Sequence, residues 1–432
     1  MNFIKLIIIF IACILAGKVL ADEQMVNLLK ARIEEGEKLS LEQCIELAIE
    51  NNPNIQAAKN TTAIFEGRIG QAKSNYLPQI NLTSGYNRRN ASTDAEIDES
   101  SNSYQGNVSL NQLIYDFGKT STQVKIHKIG LEGATADVNN IINEIVYSVK
   151  ESYYKVLYAI QSKKVYKESV NQYEKQLEQA KAFYEEGLKP KIDVTTAETN
   201  LSNAEFNYIK AENEVNTAYA DLNNALGVPE ALTYDLADDL EFKDYDISLN
   251  NAVDEAYESR PDLKGVISQQ TAASESVKLA KKDYFPELQA VTGYGLGGRE
   301  FPLDDSWSVG AEITLPIFNG LLTHNKIKEA KANLNVAKSN QEILKLNIFR
   351  DVQKAHISFL QAKKRIPVVE KTVKQAKENY ELASGRYEVG VGNPIEVKDA
   401  EVTYSNAKLA YYQTLYDYDV ARSNLDRVVG RK

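Results

Sequence analysis

The chain is 432 residues long, 25% charged and 43% hydrophobic, with 60 acidic against 50 basic residues and a net charge of −10. That composition is that of a folded protein with a water-facing surface, and the acidic balance, with no Lys/Arg-rich block, excludes nucleic acid as a partner. Three scattered histidines, and the lack of any H-E-x-x-H, P-loop, G-x-S-x-G or paired-cysteine pattern, leave no metal or cofactor site to name and no chemical reason to assign an enzyme.

Lys5 is followed by an unbroken apolar run, Leu6 to Leu15, and then by Val19-Leu20-Ala21. This reads as a secretory signal over residues 1–21, cut before Asp22; the run is shorter than the roughly 20 residues that a spanning helix needs. Cys13, preceded by Phe10-Ile11-Ala12, sits in a poor context for lipid attachment. An N-terminal segment, 22–39, leads into the folded part. Cys44 is then the only thiol, so no intramolecular disulfide forms, and among Leu41, Ile45 and Leu47 it reads as a small core residue.

From Ser40 the chain is built twice. Ser40 to Tyr86 matches Ser248 to Tyr294 without a gap, at a spacing of about 208 residues, aligning Pro53 with Pro261 and Tyr76-x-Pro78 with Tyr284-x-Pro286. Tyr184 to Gly227 matches Tyr387 to Gly430 at about 203, so about five residues are missing from the second copy, where a loop tolerates the change. The repeats are 40–247 and 248–432, and each predicts helix, helix, strand, loop, strand, very long helix, turn and shorter helix. The first helix starts at Ser40, with Gln43 placed for a capping box, and ends near Asn51-Asn52-Pro53.

After Pro78 the period changes to two. Ile80, Leu82 and Tyr86 alternate with Asn81 and Thr83, and Tyr104, Val108 and Leu110 alternate with Gln105, Asn107, Ser109 and Asn111. These predict strands at about 79–86 and 103–115, with partners in the second copy at about 287–294 and 306–317. Gly293 to Gly298 reads as a strand end followed by a loop, and the polar stretches Asn87 to Ser101 and Gly295 to Asp305 read as loops. Strands apolar on one face and polar on the other fit a transmembrane barrel wall or a half-buried soluble sheet. Four strands cannot close a water-filled barrel, and an open edge in lipid leaves backbone groups unpaired at several kcal/mol each, so a membrane location requires other protomers.

The long helices carry a coiled-coil seam. Positions 355, 359, 362, 366, 369, 373, 376, 380, 383 and 387 advance in strict three-four steps, and the first copy follows the same register from Val149 to Tyr184, interrupted at Ser152 and Lys163. From Lys119 to Glu185 such a helix is roughly 100 Å long, more than any bilayer. Pro367 falls within the seam and is expected to kink or interrupt it. The helices turn at Tyr184-Glu185-Glu186-Gly187-Leu188-Lys189-Pro190 and at Tyr387-Glu388-Val389-Gly390-Val391-Gly392-Asn393-Pro394, placing hairpin tips near 187 and 390. Glu396 and Asp399, three apart, share one helix face. Acids in a first turn also stabilise a helix start by about 0.3–1 kcal/mol, and Asn393 to Glu396 has the spacing of a capping box.

The signal peptide, the duplicated helix-strand-strand-helix unit, Asn52-Pro53-Asn54-Ile55 and Arg260-Pro261-Asp262-Leu263 after the capped helices, Tyr-x-Pro before each first strand, and Pro316-Ile317-Phe318-Asn319-Gly320 after the last together resemble the TolC-like outer membrane efflux proteins. The resemblance covers nearly the whole mature chain. It implies a mainly α fold with a β-barrel portion: four strands per protomer and a homotrimer forming one twelve-strand barrel, continued by a coiled-coil tunnel across the periplasm. It implies a trimeric channel in the outer membrane of a Gram-negative bacterium, working with a periplasmic adaptor and an inner membrane pump of ABC, RND or MFS type in drug efflux or type I protein secretion. By the same resemblance Gly187, Leu188, Gly390 and Val391 are adaptor contacts. Glu396 and Asp399 would ring the constriction, and Tyr387 and Asp193 would hold it closed; an arginine link of some relatives falls on Gly392. A periplasmic coiled-coil scaffold without a pore is the competing reading.

Overall fold

The computed structural model describes residues 38–91, 99–228 and 234–431. The expected signal at 1–21, most of the segment 22–39 and the centre of the first interstrand loop lie outside the described residues. In chain order, strand β1 (Lys38–Leu39) precedes helices α1 (Leu41–Asn51) and α2 (Pro53–Ser74), strands β2 (Gln79–Ala91) and β3 (Glu99–Tyr115), and helices α3 (Lys119–Glu185) and α4 (Lys191–Leu226). Strand β4 (Asp235–Leu236) follows, then α5 (Leu249–Ser259), α6 (Pro261–Lys282), β5 (Glu287–Gly298), β6 (Asp304–Thr314), α7 (Leu322–Glu388) and α8 (Pro394–Val429). The duplication is metric: successive helices of each copy have 11, 22, 67 and 36 residues.

The chain forms two compact units, each drawn from both copies. One comprises 38–56, 141–260 and 348–431, the other 57–140 and 261–347. In the first unit, the Ser40 hydroxyl accepts from the Gln43 amide at 3.3 Å while the Gln43 side chain accepts from the Ser40 amide at 2.8 Å, closing the capping box. The Ser248 hydroxyl accepts from the Asn251 amide at 3.3 Å in the second copy. Both shorter helices end in a left-handed glycine that lies on the start of the copy. A Cβ on Gly227 would stand 2.8 Å from the Asn52 Cα, and one on Gly430 3.1 Å from the Arg260 amide nitrogen, so only glycine fits either place. Tyr153, Tyr418 and Phe359 are fully buried at the core. The Tyr153 hydroxyl donates to Asp238 at 2.7 Å and that of Tyr418 to the Lys243 carbonyl at 2.8 Å, which ties the segment after β4 to the helices.

Every seam position of α7 from Val352 to Tyr387 is buried or half-buried. Where the α3 pattern breaks at Ser152 and Lys163, burial moves to the neighbouring Tyr153, Ser162 and Val165. Pro367 does not interrupt α7, which runs unbroken through it. Ile366 beside it is core, and Lys363, whose carbonyl loses the proline's missing N–H, is held by Asp244 at 2.7 Å and by the Tyr245 carbonyl at 2.8 Å. Packing of that turn outweighs a loss of roughly 3 kcal/mol.

The second unit holds an antiparallel sheet of order β2-β3-β5-β6. Its register stacks Leu82, Val108, Tyr294 and Trp307 across one face, beside Ile80, Leu110, Thr292 and Val309. The other face stacks Asn81, Ser109, Gly293 and Ser308, beside Thr83, Asn107, Gly295 and Ser306. Among the described residues nothing covers the apolar face: Leu82, Trp307 and Val309 are each 75% exposed. Strand extents differ from those expected. β2 continues to Ala91, paired with Glu99, and β5 continues to Gly298, so Gly295 to Gly298 is strand and not loop. Polar and glycine residues extend a ladder through backbone bonds that leave no apolar period to read. β6 stops at Thr314, short of Pro316, which has no N–H to donate.

Paired hairpin tips as the candidate functional site

The two interhelical turns of the first unit use the same device. At the first, Gly187 has φ +73° and its amide donates to the Tyr184 carbonyl at 3.0 Å, while the Leu188 amide donates to the Phe183 carbonyl at 2.8 Å. At the second, Gly390 has φ +80° and donates to Tyr387 at 3.0 Å, and Val391 donates to Arg386 at 3.1 Å. Each chain reversal requires the left-handed region that glycine enters without a Cβ clash.

The turns present apolar side chains to solvent. Leu188, Ile192, Val389, Val391 and Ile395 are each between 60% and 74% exposed. Sequence reasoning named Leu188 and Val391 and missed Ile192, Val389 and Ile395; the signal was an aliphatic residue directly after each glycine and an isoleucine five residues beyond it, Ile192 after Gly187 and Ile395 after Gly390.

Between the tips lies a groove of about 710 Å³ whose lining includes Gln176, Asp193, Tyr387, Val391 and Glu396. Tyr387 is only 4% exposed and meets the ring of Phe183 edge-on at 6.0 Å. Burial, and after it the negative charge of Asp193, raise the Tyr387 phenol above its ordinary range, so the hydroxyl stays protonated and able to donate. The two copies differ here, since Tyr184, the counterpart of Tyr387, is 46% exposed. Asn393 caps α8 by accepting from the Ile395 amide at 2.9 Å. The Glu396 carboxylate lies 3.8 Å from Arg386 Nη1, a residue that sequence reasoning did not single out. Asp399 is exposed one turn further along α8, and its carbonyl accepts from the Thr403 hydroxyl at 2.7 Å. The groove thus gathers Asp193, Tyr387 and Glu396; Asp399 is not among its lining residues. A Cβ on Gly392 would stand 2.6 Å from the Tyr387 amide nitrogen, so this turn excludes the arginine that the resemblance would put there.

Among the described residues no group of three or more His, Cys, Asp or Glu side chains is placed to hold a metal ion, and no helix is long and apolar enough to cross a membrane.

The chain is similar to outer membrane protein TolC of Escherichia coli strain K12, with 24% identity over 400 residues, covering 88% of this chain and 80% of TolC. It is similar to toxin and drug export protein A of Aggregatibacter actinomycetemcomitans, with 24% identity over 385 residues, covering 87% of this chain and 83% of that protein. The solved outer membrane channel CmeC of Campylobacter jejuni shares the fold with a TM-score of 0.78 at 18% identity, covering 90% of this chain and 85% of CmeC. The family model of the outer membrane efflux proteins matches residues 44–228 and again 252–431, one match to each structural repeat. With both copies of the fold matched in turn, the chain belongs to the outer membrane efflux protein family.

Proposed function

We propose that three copies of this chain form an outer membrane channel of a Gram-negative bacterium, their sheets joining edge to edge into one twelve-strand barrel and their helices continuing as a periplasmic tunnel. The four-stranded sheet carries this reading. Its exposed face is apolar, its opposite face is polar, and no strand of the described residues pairs with the outer edges of β2 and β6. Lipid covers the apolar face, and a neighbouring protomer satisfies each edge, whose unpaired groups would otherwise cost several kcal/mol apiece. Aromatic clusters mark both ends: Tyr86, Tyr104 and Phe301 at one, Tyr115, Phe117 and Phe285 at the other, with ring centroids 4.8–5.3 Å apart. Tyr104 and Tyr115 are about eleven residues apart on β3, which spans about 28 Å across the membrane at the usual barrel tilt, close to the height of an apolar barrel band.

The channel serves a tripartite export system for drugs or proteins, receiving cargo from an inner membrane pump through a periplasmic adaptor. The apolar tips around Gly187, Leu188, Gly390 and Val391 are the adaptor contact. Tyr387, Asp193, Glu396 and Asp399 control the periplasmic mouth, where threefold repetition of the acids favours cations. The test is conductance of the purified trimer in planar bilayers together with deletion of the gene. Ion-conducting pores and sensitisation to dyes, detergents or antibiotics, or loss of a secreted protein, are expected; a chain that never conducts is a scaffold and not a duct. Glu396→Ala with Asp399→Ala should lower the cation preference of the pore, read as a shift of reversal potential in a salt gradient.

A further inference from the structure

Glu401 is 2% exposed, on α8, seven residues beyond Pro394 and therefore about 10 Å from the tip. Its carboxylate accepts hydrogen bonds from the hydroxyl of Ser169, on α3, and from Ser405 one turn along its own helix at 2.8 Å. The Ser169 and Ser405 hydroxyls stand 2.9 Å apart. Tyr173, one turn along α3 from Ser169, is 6% exposed and packs with Val170, Ala204, Leu201 and Tyr208, so the stretch of α3 that supplies this serine is rooted between the two helices of the first hairpin. Two turns further along α8, Lys408 pairs with Glu168 of α3.

The repeat supplies an internal comparison. At the offset of the matched tips, the counterparts of Glu401 and Ser405 are Glu198 and Ser202, whereas those of Ser169 and Tyr173 are Thr372 and Ala376. Acid and serine occur in both copies, but Glu198 is exposed, and Thr372 donates to the Val368 carbonyl of its own helix at 2.9 Å. Among the described residues, only the α8 acid of this pair finds a hydroxyl donor on a facing long helix. A carboxyl group withdrawn from water and satisfied by two hydroxyls is costly to separate from them, because the opened state must rehydrate it or leave it unpaired.

We propose that Glu401 is a clasp that ties the two hairpins of one protomer together, a positioning residue that holds the mouth of the channel closed through α3. This rests on the channel reading above. Separation of the hairpins breaks the bond from Ser169, so the mouth stays shut until a partner supplies the compensating contacts.

The experiment compares single-channel recordings of the wild type, Glu401→Ala, Glu401→Gln and the pseudo-equivalent Glu198→Ala. Loss of charge-assisted bonds of this number should raise the open probability of Glu401→Ala by about tenfold or more, with Glu401→Gln between it and the wild type and Glu198→Ala unchanged. Ser169→Cys with Ser405→Cys, oxidised in the Glu401→Ala background, should restore the closed state, and reduction should release it again; a purely structural defect would not respond to that bond. Unchanged gating of Glu401→Ala in trimers that conduct normally overturns the clasp and leaves the channel intact. Equal effects of Glu198→Ala and Glu401→Ala also overturn it. Absence of conductance in every protein, the wild type included, defeats the channel reading and the clasp with it.

Discussion

Gly187 and Gly392 show how two glycines of one site can be required for different reasons. Gly187 has φ +73° with nothing within 4 Å of a would-be Cβ, so Gly187→Ala costs only backbone strain, about 1 kcal/mol. At Gly392 the same methyl would meet the Arg386 and Tyr387 backbone at 2.6–2.8 Å, so Gly392→Ala should displace the turn and cost about 1–3 kcal/mol. Limited proteolysis at the second tip checks the contrast, with faster cleavage expected in Gly392→Ala than in Gly187→Ala. Asp419, buried on α8 near Arg422 and Lys243, gives a pH-dependent case. Burial pushes its carboxyl up to about 7, against the partial opposition of those two cations. A folded value raised above the unfolded one contributes stability below pH 4 that is lost as pH rises through 7, so Asp419→Asn should stabilise the fold at pH 8 by up to about 4 kcal/mol, read as a higher melting temperature, and do little at pH 4. Tyr387, Asp193 and Glu396 were named because the family resemblance carried positions of relatives onto this sequence, and all three line one groove. Glu401 was not: Glu198 occupies the same place in the other copy, and only the facing helix distinguishes a buried acid from a solvated one.

At the scale of elements, period two carried most of the information about the sheet. Tyr104, Val108 and Leu110 against Gln105, Asn107 and Ser109 assigned both faces of β3, and the register places each residue on the face so assigned. The strand ends were illegible because Asn87 to Ala91 and Gly295 to Gly298 hold no alternating apolar side chains, although their backbones are paired. The faces make a sharp test on adjacent residues of β6. Val309→Lys puts a charge on the apolar side and should destabilise the membrane-inserted form by about 2–4 kcal/mol, while Ser308→Lys, one residue away and on the other face, should assemble normally and alter conductance. Retention of a heat-modifiable oligomer band in outer membrane extracts reads the first effect. Pro367 is the complementary lesson among the helices, since a local breaker was overruled by the packing of Ile366 and the two contacts of Lys363.

For the whole molecule, duplication is the organising fact. Helices of equal length recur in both copies, and each compact unit draws on both, so neither copy is a domain by itself. Three protomers present six quasi-equivalent repeats, and light scattering in detergent should give a trimer with no stable monomer fraction. The middle rows of the polar face, Asn81, Ser109, Gly293 and Ser308 with Thr83, Asn107, Gly295 and Ser306, carry no formal charge. Towards its ends the same face is acidic, with Asp304 opposite Gly297 at one end and Glu312 opposite Gln289 and Glu287 opposite Thr314 towards the other. In a barrel built from such sheets, charge would act on a passing solute at the two rims and not midway.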